Sequence, residues 1–127
     1  MEALFIIGRI IFGLYFIYSG YGHFRHFKNT AGYAGSKGVP FAKGAVALTG
    51  ALMIVGGLSF VFAYGMQVGS LLLLIFLVPT TFIMHRFWST TDPDQKMGET
   101  INFTKNLALI GALLMLMPLF AVMAAIV

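Results

Sequence analysis

Four runs of apolar residues, roughly 3–21, 44–64, 66–84 and 103–126, divide the chain, with polar stretches between them. A hydrocarbon core of ~30 Å takes ~20 helical residues at ~1.5 Å rise each, so every run is long enough to span a bilayer. The runs are apolar on all sides and lack the period-two alternation of an outer-membrane strand, which predicts helices and not barrel strands. Spans two and three are separated by little more than Gly65, forcing a tight antiparallel hairpin. The other connections, His23 to Lys43 and His85 to about Asn102, are longer and polar. The pattern predicts an all-α fold: an integral membrane four-helix bundle with antiparallel neighbours, 1–127 forming a single four-span domain.

Composition sharpens the picture. Hydrophobic residues make up 59% and charged residues 9%, against about 25% charged in an ordinary soluble domain, so a water-soluble fold has too little polar surface. The first run lacks a basic segment before it and a small-residue cleavage site after it, and reads as a permanent anchor and not a removable signal. Because spans alternate, the two long connections and the start of span four share one side, which carries Arg25, Lys28, Lys37, Lys43, Arg86, Lys96 and Lys105. Only Arg9 departs from this bias. The positive-inside rule puts those loops in the cytoplasm and both termini on the non-cytoplasmic side of the cell (inner or plasma) membrane. The same rule accounts for the net charge of +4 without any nucleic-acid partner.

Chemistry is sparse. Cysteine is absent, which excludes disulfides, thiolate ligands and iron–sulfur clusters within the chain. No glycine-rich phosphate loop, paired carboxylates or nucleophile with a spaced base appears, so hydrolase and kinase readings have no support and no catalytic residue is identified. Arg9 lies ~9 Å inside span one, where a charge is costly. Its helical face carries Glu2, Gly13, Phe16, Gly20 and His23, so it either turns inward and pairs with Glu2 or snorkels to the outer interface. The topology also gathers His23 and His26, His85 and Arg86, and Asn102, Lys105 and Asn106 in one leaflet, with Phe87 and Trp88 at the same level. Such imidazoles, cations and aromatics suit an anionic or quinone-like head group, with a histidine moving a proton. Haem or a metal is disfavoured, because no paired histidines share a helix face and no carboxylate partner is evident. Asp92, Asp94 and Glu99, with Pro93, read as turn and helix-start residues. Pro79 should kink span three, Thr80 and Thr81 being able to satisfy freed carbonyls. Gly8, Gly13, Gly20, Ala47, Ala51, Gly57, Gly65 and Gly69 suit close helix packing.

Several segments taken in order resemble the DoxX family of small bacterial and archaeal membrane proteins. They are the early arginine in GRIIFGLYFIYSG, the loop text YAGSKGVPF, the double glycine Gly56 and Gly57, the HRFW run from His85 to Trp88, and FTKNLALIGALL opening span four. The resemblance implies a four-helix membrane bundle and, for some members, redox work: one relative is the membrane subunit of a thiosulfate:quinone oxidoreductase, others are linked to oxidative-stress complexes. More distant relatives are receptor-assembly chaperones and cargo receptors. The chain departs from the family at Met53, where many members carry a glutamate, and in SGYGHF, where His23 replaces a basic residue.

Two functions are therefore expected to compete. One is a quinone-associated or redox-complex subunit that binds a small ligand near the cytoplasmic face through Arg9, His23, His85, Arg86, Trp88, Lys105 and Asn106, with quinone as cofactor. The other is a non-enzymatic scaffold or assembly factor acting through helix–helix contacts. The partners implied are the lipid bilayer, membrane or redox proteins, and further copies of the chain.

Overall fold

The computed structural model describes residues 1–126; Val127, the last residue of the expected single domain, lies outside them. The elements in order are α1 (Glu2–Arg25), α2 (Phe27–Ser36), α3 (Ala42–Val61), α4 (Met66–Met84), a 3-10 turn at Phe87–Ser89, and α5 (Pro93–Ile126). No strand occurs among the described residues. Four helices, α1, α3, α4 and α5, are long and apolar enough to cross a membrane. Their outward faces expose large apolar side chains such as Ile11, Leu48, Val55, Ile75 and Leu114. Water would not tolerate that much exposed hydrocarbon, whereas lipid solvates it.

The chain forms two compact units, one from Met1 to Leu73 and one from Leu74 onward. In the first, α1 and α3 run antiparallel along a seam of glycines. A Cβ placed on Gly13 would stand 2.5 Å from the Gly57 carbonyl oxygen, and one on Gly20 would stand 2.7 Å from that of Gly50. The glycines are seven residues apart on each helix and the pairing runs in opposite senses, so one register brings both pairs into contact. Backbone touches backbone here because nothing else fits, which maximises van der Waals contact where lipid offers no hydrophobic driving force between helices. Phe16, Met53 and Phe60 fill the space beside the seam and are almost wholly buried, with the Phe12 ring 5.0 Å from Phe16 and 4.8 Å from Phe60.

Arg9 explains how a charge survives inside α1. Its Nη1 donates to the Phe60 carbonyl at 2.9 Å and also to the Val61 carbonyl. Those oxygens belong to the last turn of α3, where carbonyls lack intrahelical donors and the helix dipole is negative. The counter-charge of Arg9 is thus a helix terminus and not the Glu2 carboxylate that the sequence offered. Hydrogen bonds to a charged group contribute about 1.5–3 kcal/mol. Arg9→Met should therefore lower stability by about 2 kcal/mol, with Arg9→Lys in between, as read from thermal unfolding in detergent; a melting temperature equal to the parent's would remove this role.

The long polar connection after α1 contains a helix that the hydropathy pattern did not reveal. α2 packs on α3 and buries Ala31 and Ala34. It stops at Gly38, whose φ of +87° turns the chain away from the helix. The α3–α4 hairpin is as tight as expected, with Gly65 at φ +62° and the Gly69 backbone against Ser59.

In the second unit, α4 continues through Pro79 without a break. Thr81 donates to the Leu77 carbonyl at 2.6 Å, so its hydroxyl serves its own turn and not the Ile75 carbonyl that Pro79 leaves. α5 starts well before the expected position of 103. Asp92 caps it, accepting from the Gln95 backbone N–H at 3.1 Å, and Pro93 occupies the first helical position, where its missing N–H costs nothing. One face of α5 is buried at Glu99, Asn106, Leu113 and Phe120, again at steps of seven.

Candidate functional site: a histidine–glutamate pair beside four aromatic rings

The second unit brings titratable and aromatic groups together just past the end of α4. Met84 ends the helix, and the chain turns through His85 and Arg86 into the 3-10 turn carrying Phe87 and Trp88. Facing it is the first part of α5, whose extra turns exist because Asp92 and Pro93 start the helix early. His85 Nδ1 lies 2.8 Å from Glu99 Oε2. At that distance an Nδ1–H donates to the carboxylate oxygen. Glu99 is only 8% exposed, and a buried carboxylate requires such a partner.

Phe103 stands one turn beyond Glu99 and is the hub of an aromatic group. Its ring lies 5.5 Å from Phe82, 5.3 Å from Phe87 and 5.6 Å from Trp88, all edge-to-face. Phe87 and Trp88 also meet at 5.2 Å. Edge-to-face pairs are worth about 0.5–1.5 kcal/mol each beyond their area burial, and Trp88 is 54% exposed at the edge of the group. Asn106, two turns along α5 from Glu99, is buried on the same face, while Lys105 beside it is exposed.

The candidates named from the sequence therefore divide between the two units. His85, Arg86, Trp88, Lys105 and Asn106 belong to the second unit, and the structure joins His85 to Glu99 and Trp88 to Phe103. Arg9 and His23 belong to the first unit. Arg9 is engaged with α3, and His23 Nδ1 lies 3.1 Å from the Ser19 carbonyl one turn earlier. Among the described residues no three His, Cys, Asp or Glu side chains gather. Met53, at the position where a glutamate was expected from the resemblance, is 1% exposed in the core of the first unit.

Glu99, Phe82 and Phe103 are the residues that sequence reasoning missed. Glu99 reads with Asp92, Asp94 and Pro93 as a turn or helix-start residue, and a helix starting near residue 103 cannot present it. The signal was the heptad step: 106 minus seven is 99, so a buried Asn106 implies a buried residue 99 if the helix extends that far.

Comparison with known proteins agrees with this architecture. "Inner membrane protein YphA" of Escherichia coli (strain K12) is 28% identical over 114 residues, covering 90% of this chain and 81% of that protein. No solved structure matches the chain. The DoxX family matches residues 4–86, which include Arg9, His23, His85 and Arg86 and stop short of Glu99 and Phe103. With four helices of membrane-spanning length and apolarity and a match over well over half of its 127 residues, the chain is a multi-pass integral membrane protein in contact with the lipid bilayer, and it belongs to the DoxX family.

Proposed function

We propose that the protein is a subunit of a redox complex in the cell membrane and that the His85–Glu99 pair with its neighbouring rings binds the head group of a quinone. The observation that carries the reading is the 2.8 Å contact between a histidine and a buried glutamate, set against aromatic rings at the end of a membrane helix. Quinones carry two electrons and two protons. The chain has no cysteine, so the electrons come from a bound cofactor or a redox partner protein. What the chain itself offers is a place to dock and a proton. Glu99 holds Nδ1 and fixes the ring, and when the ring has taken a second proton from the cytoplasmic side, Nε2–H faces a quinone carbonyl and passes that proton to it. The Phe103, Phe87 and Trp88 rings give a flat guest a surface to lie on. Arg86 lies next to His85 in the chain and supplies positive charge close to any oxygen that gains electron density.

The location follows from the same reading. A relative named as an inner membrane protein supports the cell membrane, and the bias of Lys and Arg supports a cytoplasmic side for the end of α4 and the start of α5, with both termini opposite. As for a purely scaffolding role, three of the small residues suited to it, Gly13, Gly20 and Gly57, are already used within the first unit.

The test is binding of a short-chain quinone analogue to the full-length protein in lipid nanodiscs, followed by the quenching of Trp88, the chain's one tryptophan. Saturable quenching is expected, weakened about tenfold in His85→Leu or Phe103→Ala, the equivalent of ~1.4 kcal/mol. A folded parent protein that quenches no more than His85→Leu would discard the site.

A further inference from the structure

We infer that a groove at the Arg25 end of α1 holds the phosphate-bearing headgroup of an anionic phospholipid. The groove, of about 420 Å³, is lined by Tyr18, Ser19, Tyr21, Gly22, Arg25 and His26. Tyr18, Tyr21, Gly22 and Arg25 fall at i, i+3, i+4 and i+7, so they form one face of the helix. Gly22 makes the depression: a Cβ there would meet nothing within 4 Å, so the hollow is space that any side chain would fill. Arg25 reaches back over it, donating weakly to the Tyr21 hydroxyl at 3.4 Å.

The stripe continues up the same face. Leu14 and Ile11, at i−4 and i−7 from Tyr18, are 52% and 64% exposed, and Tyr18 itself is 78% exposed. From the middle of the membrane outward the order is aliphatic, aromatic, cationic. That is the order of a phospholipid: acyl chain, glycerol–ester region, phosphate. Tyrosine belongs at the ester level and arginine at the phosphate level.

Charge makes the guest anionic. The segment Met1–Leu73 contains one acidic residue, Glu2, which sits at the other end of α1, roughly 35 Å from Arg25. Around the groove end the same segment places Arg25, Lys28, Lys37 and Lys43. A zwitterionic headgroup would bring a positive charge of its own into this field, whereas phosphatidylglycerol brings none. This site is independent of the His85–Glu99 site, and neither stands or falls with the other.

The experiment is native mass spectrometry of the full-length protein purified in mild detergent and offered equal amounts of phosphatidylglycerol and phosphatidylcholine. The parent should retain phosphatidylglycerol in preference. Arg25→Gln should reduce that preference about fivefold, the worth of one basic residue near an anionic surface. Gly22→Leu should reduce it at least as far by filling the groove, and the open space at its Cβ keeps the helix intact, as circular dichroism would register. Lys43→Gln, outside the groove, should reduce it by much less than Arg25→Gln. Unaltered preference in both Arg25→Gln and Gly22→Leu overturns the site, and so does an equal loss in Lys43→Gln, which would mean diffuse charge. Equal retention of inorganic phosphate in a parallel titration would mean a free-anion site, and lipid-free dimers lost only in Gly22→Leu would mean that a second copy covers the stripe.

Discussion

Gly57→Leu is expected to drive α1 and α3 apart and lower stability by about 3 kcal/mol or more, the upper range for overpacking a close-packed interior. The reason is geometric. Even the first atom of the new side chain would stand 2.6 Å from the Gly13 carbonyl oxygen and 3.1 Å from the Ile17 backbone nitrogen, and neither can rotate away as a flexible side chain could. Gly13→Val should behave alike, because its Cβ meets the Gly57 carbonyl from the other side. The displacement also reaches Arg9, whose two carbonyl partners lie in the next turn of α3, so one substitution removes seam contacts and hydrogen bonds together. Gly8→Ala and Gly44→Ala are the controls: a Cβ at either meets nothing within 4 Å, and alanine favours a helix over glycine by about 1 kcal/mol. Unfolding in detergent, followed by loss of helical signal, should rank Gly57→Leu and Gly13→Val far below the parent and both controls at or above it. Equal melting temperatures for all four variants would dissolve the seam.

What was legible in the sequence was governed by hydropathy, and what was not was governed by contact between distant segments. The four membrane-length helices follow from run length alone, since a ~30 Å apolar layer sets the scale. The tight hairpin follows from the absence of polar chain between spans two and three. Of the small residues expected to pack closely, Gly13, Gly20, Gly57 and Gly69 do so while a Cβ on Gly8 or Gly65 would meet nothing within 4 Å, and Gly50 is not among them, because a glycine is recognisable as part of a seam only when its opposite number, Gly20, is known. α2 was hidden for a related reason: FKNTAGYAGS has two internal glycines and little apolar character, and it is held by Ala31 and Ala34 packing on α3 and not by its own propensity. Arg9 was correctly singled out as costly, but backbone carbonyls carry no sequence signature, so its real acceptors could not be named.

The site divides in the same way. His85, Arg86 and Trp88 stood out because polar and aromatic residues at the end of a span attract notice. Glu99 did not, since three acidic residues and a proline within a few positions look like a loop. Two of those residues, Asp92 and Pro93, do begin the helix as their types suggest. The difference lies in the distance from that beginning to the apolar run, where the intervening turns of α5 expose Asp94, Gln95 and Lys96 along with Met97 and bury Glu99.

A double-mutant cycle on His85 and Glu99 should give a coupling of about 1.5–3 kcal/mol, the range for a hydrogen bond to a charged group, and the single substitutions should be unequal. His85→Leu takes the ring away from a carboxylate that is only 8% exposed, and weakening the pairing of a desolvated charge costs more than weakening that of an imidazole. Glu99→Leu leaves behind a histidine that can stay neutral and is itself more open to its surroundings, so its cost should be the smaller of the two. The double variant, with leucine at both positions, should recover much of the loss from His85→Leu, because two apolar side chains beside the Phe103 cluster need no partner. Thermal unfolding of the four proteins in one detergent measures all three quantities. Coupling below about 0.5 kcal/mol, the scatter expected of independent sites, would reduce the 2.8 Å contact to a coincidence of placement. Quinone binding then separates stability from function: Glu99→Gln keeps the side-chain shape and can still bond to Nδ1, but it carries no negative charge beside the ring. It should therefore melt close to the parent while binding the quinone analogue more weakly, a combination that a purely structural pair would not produce.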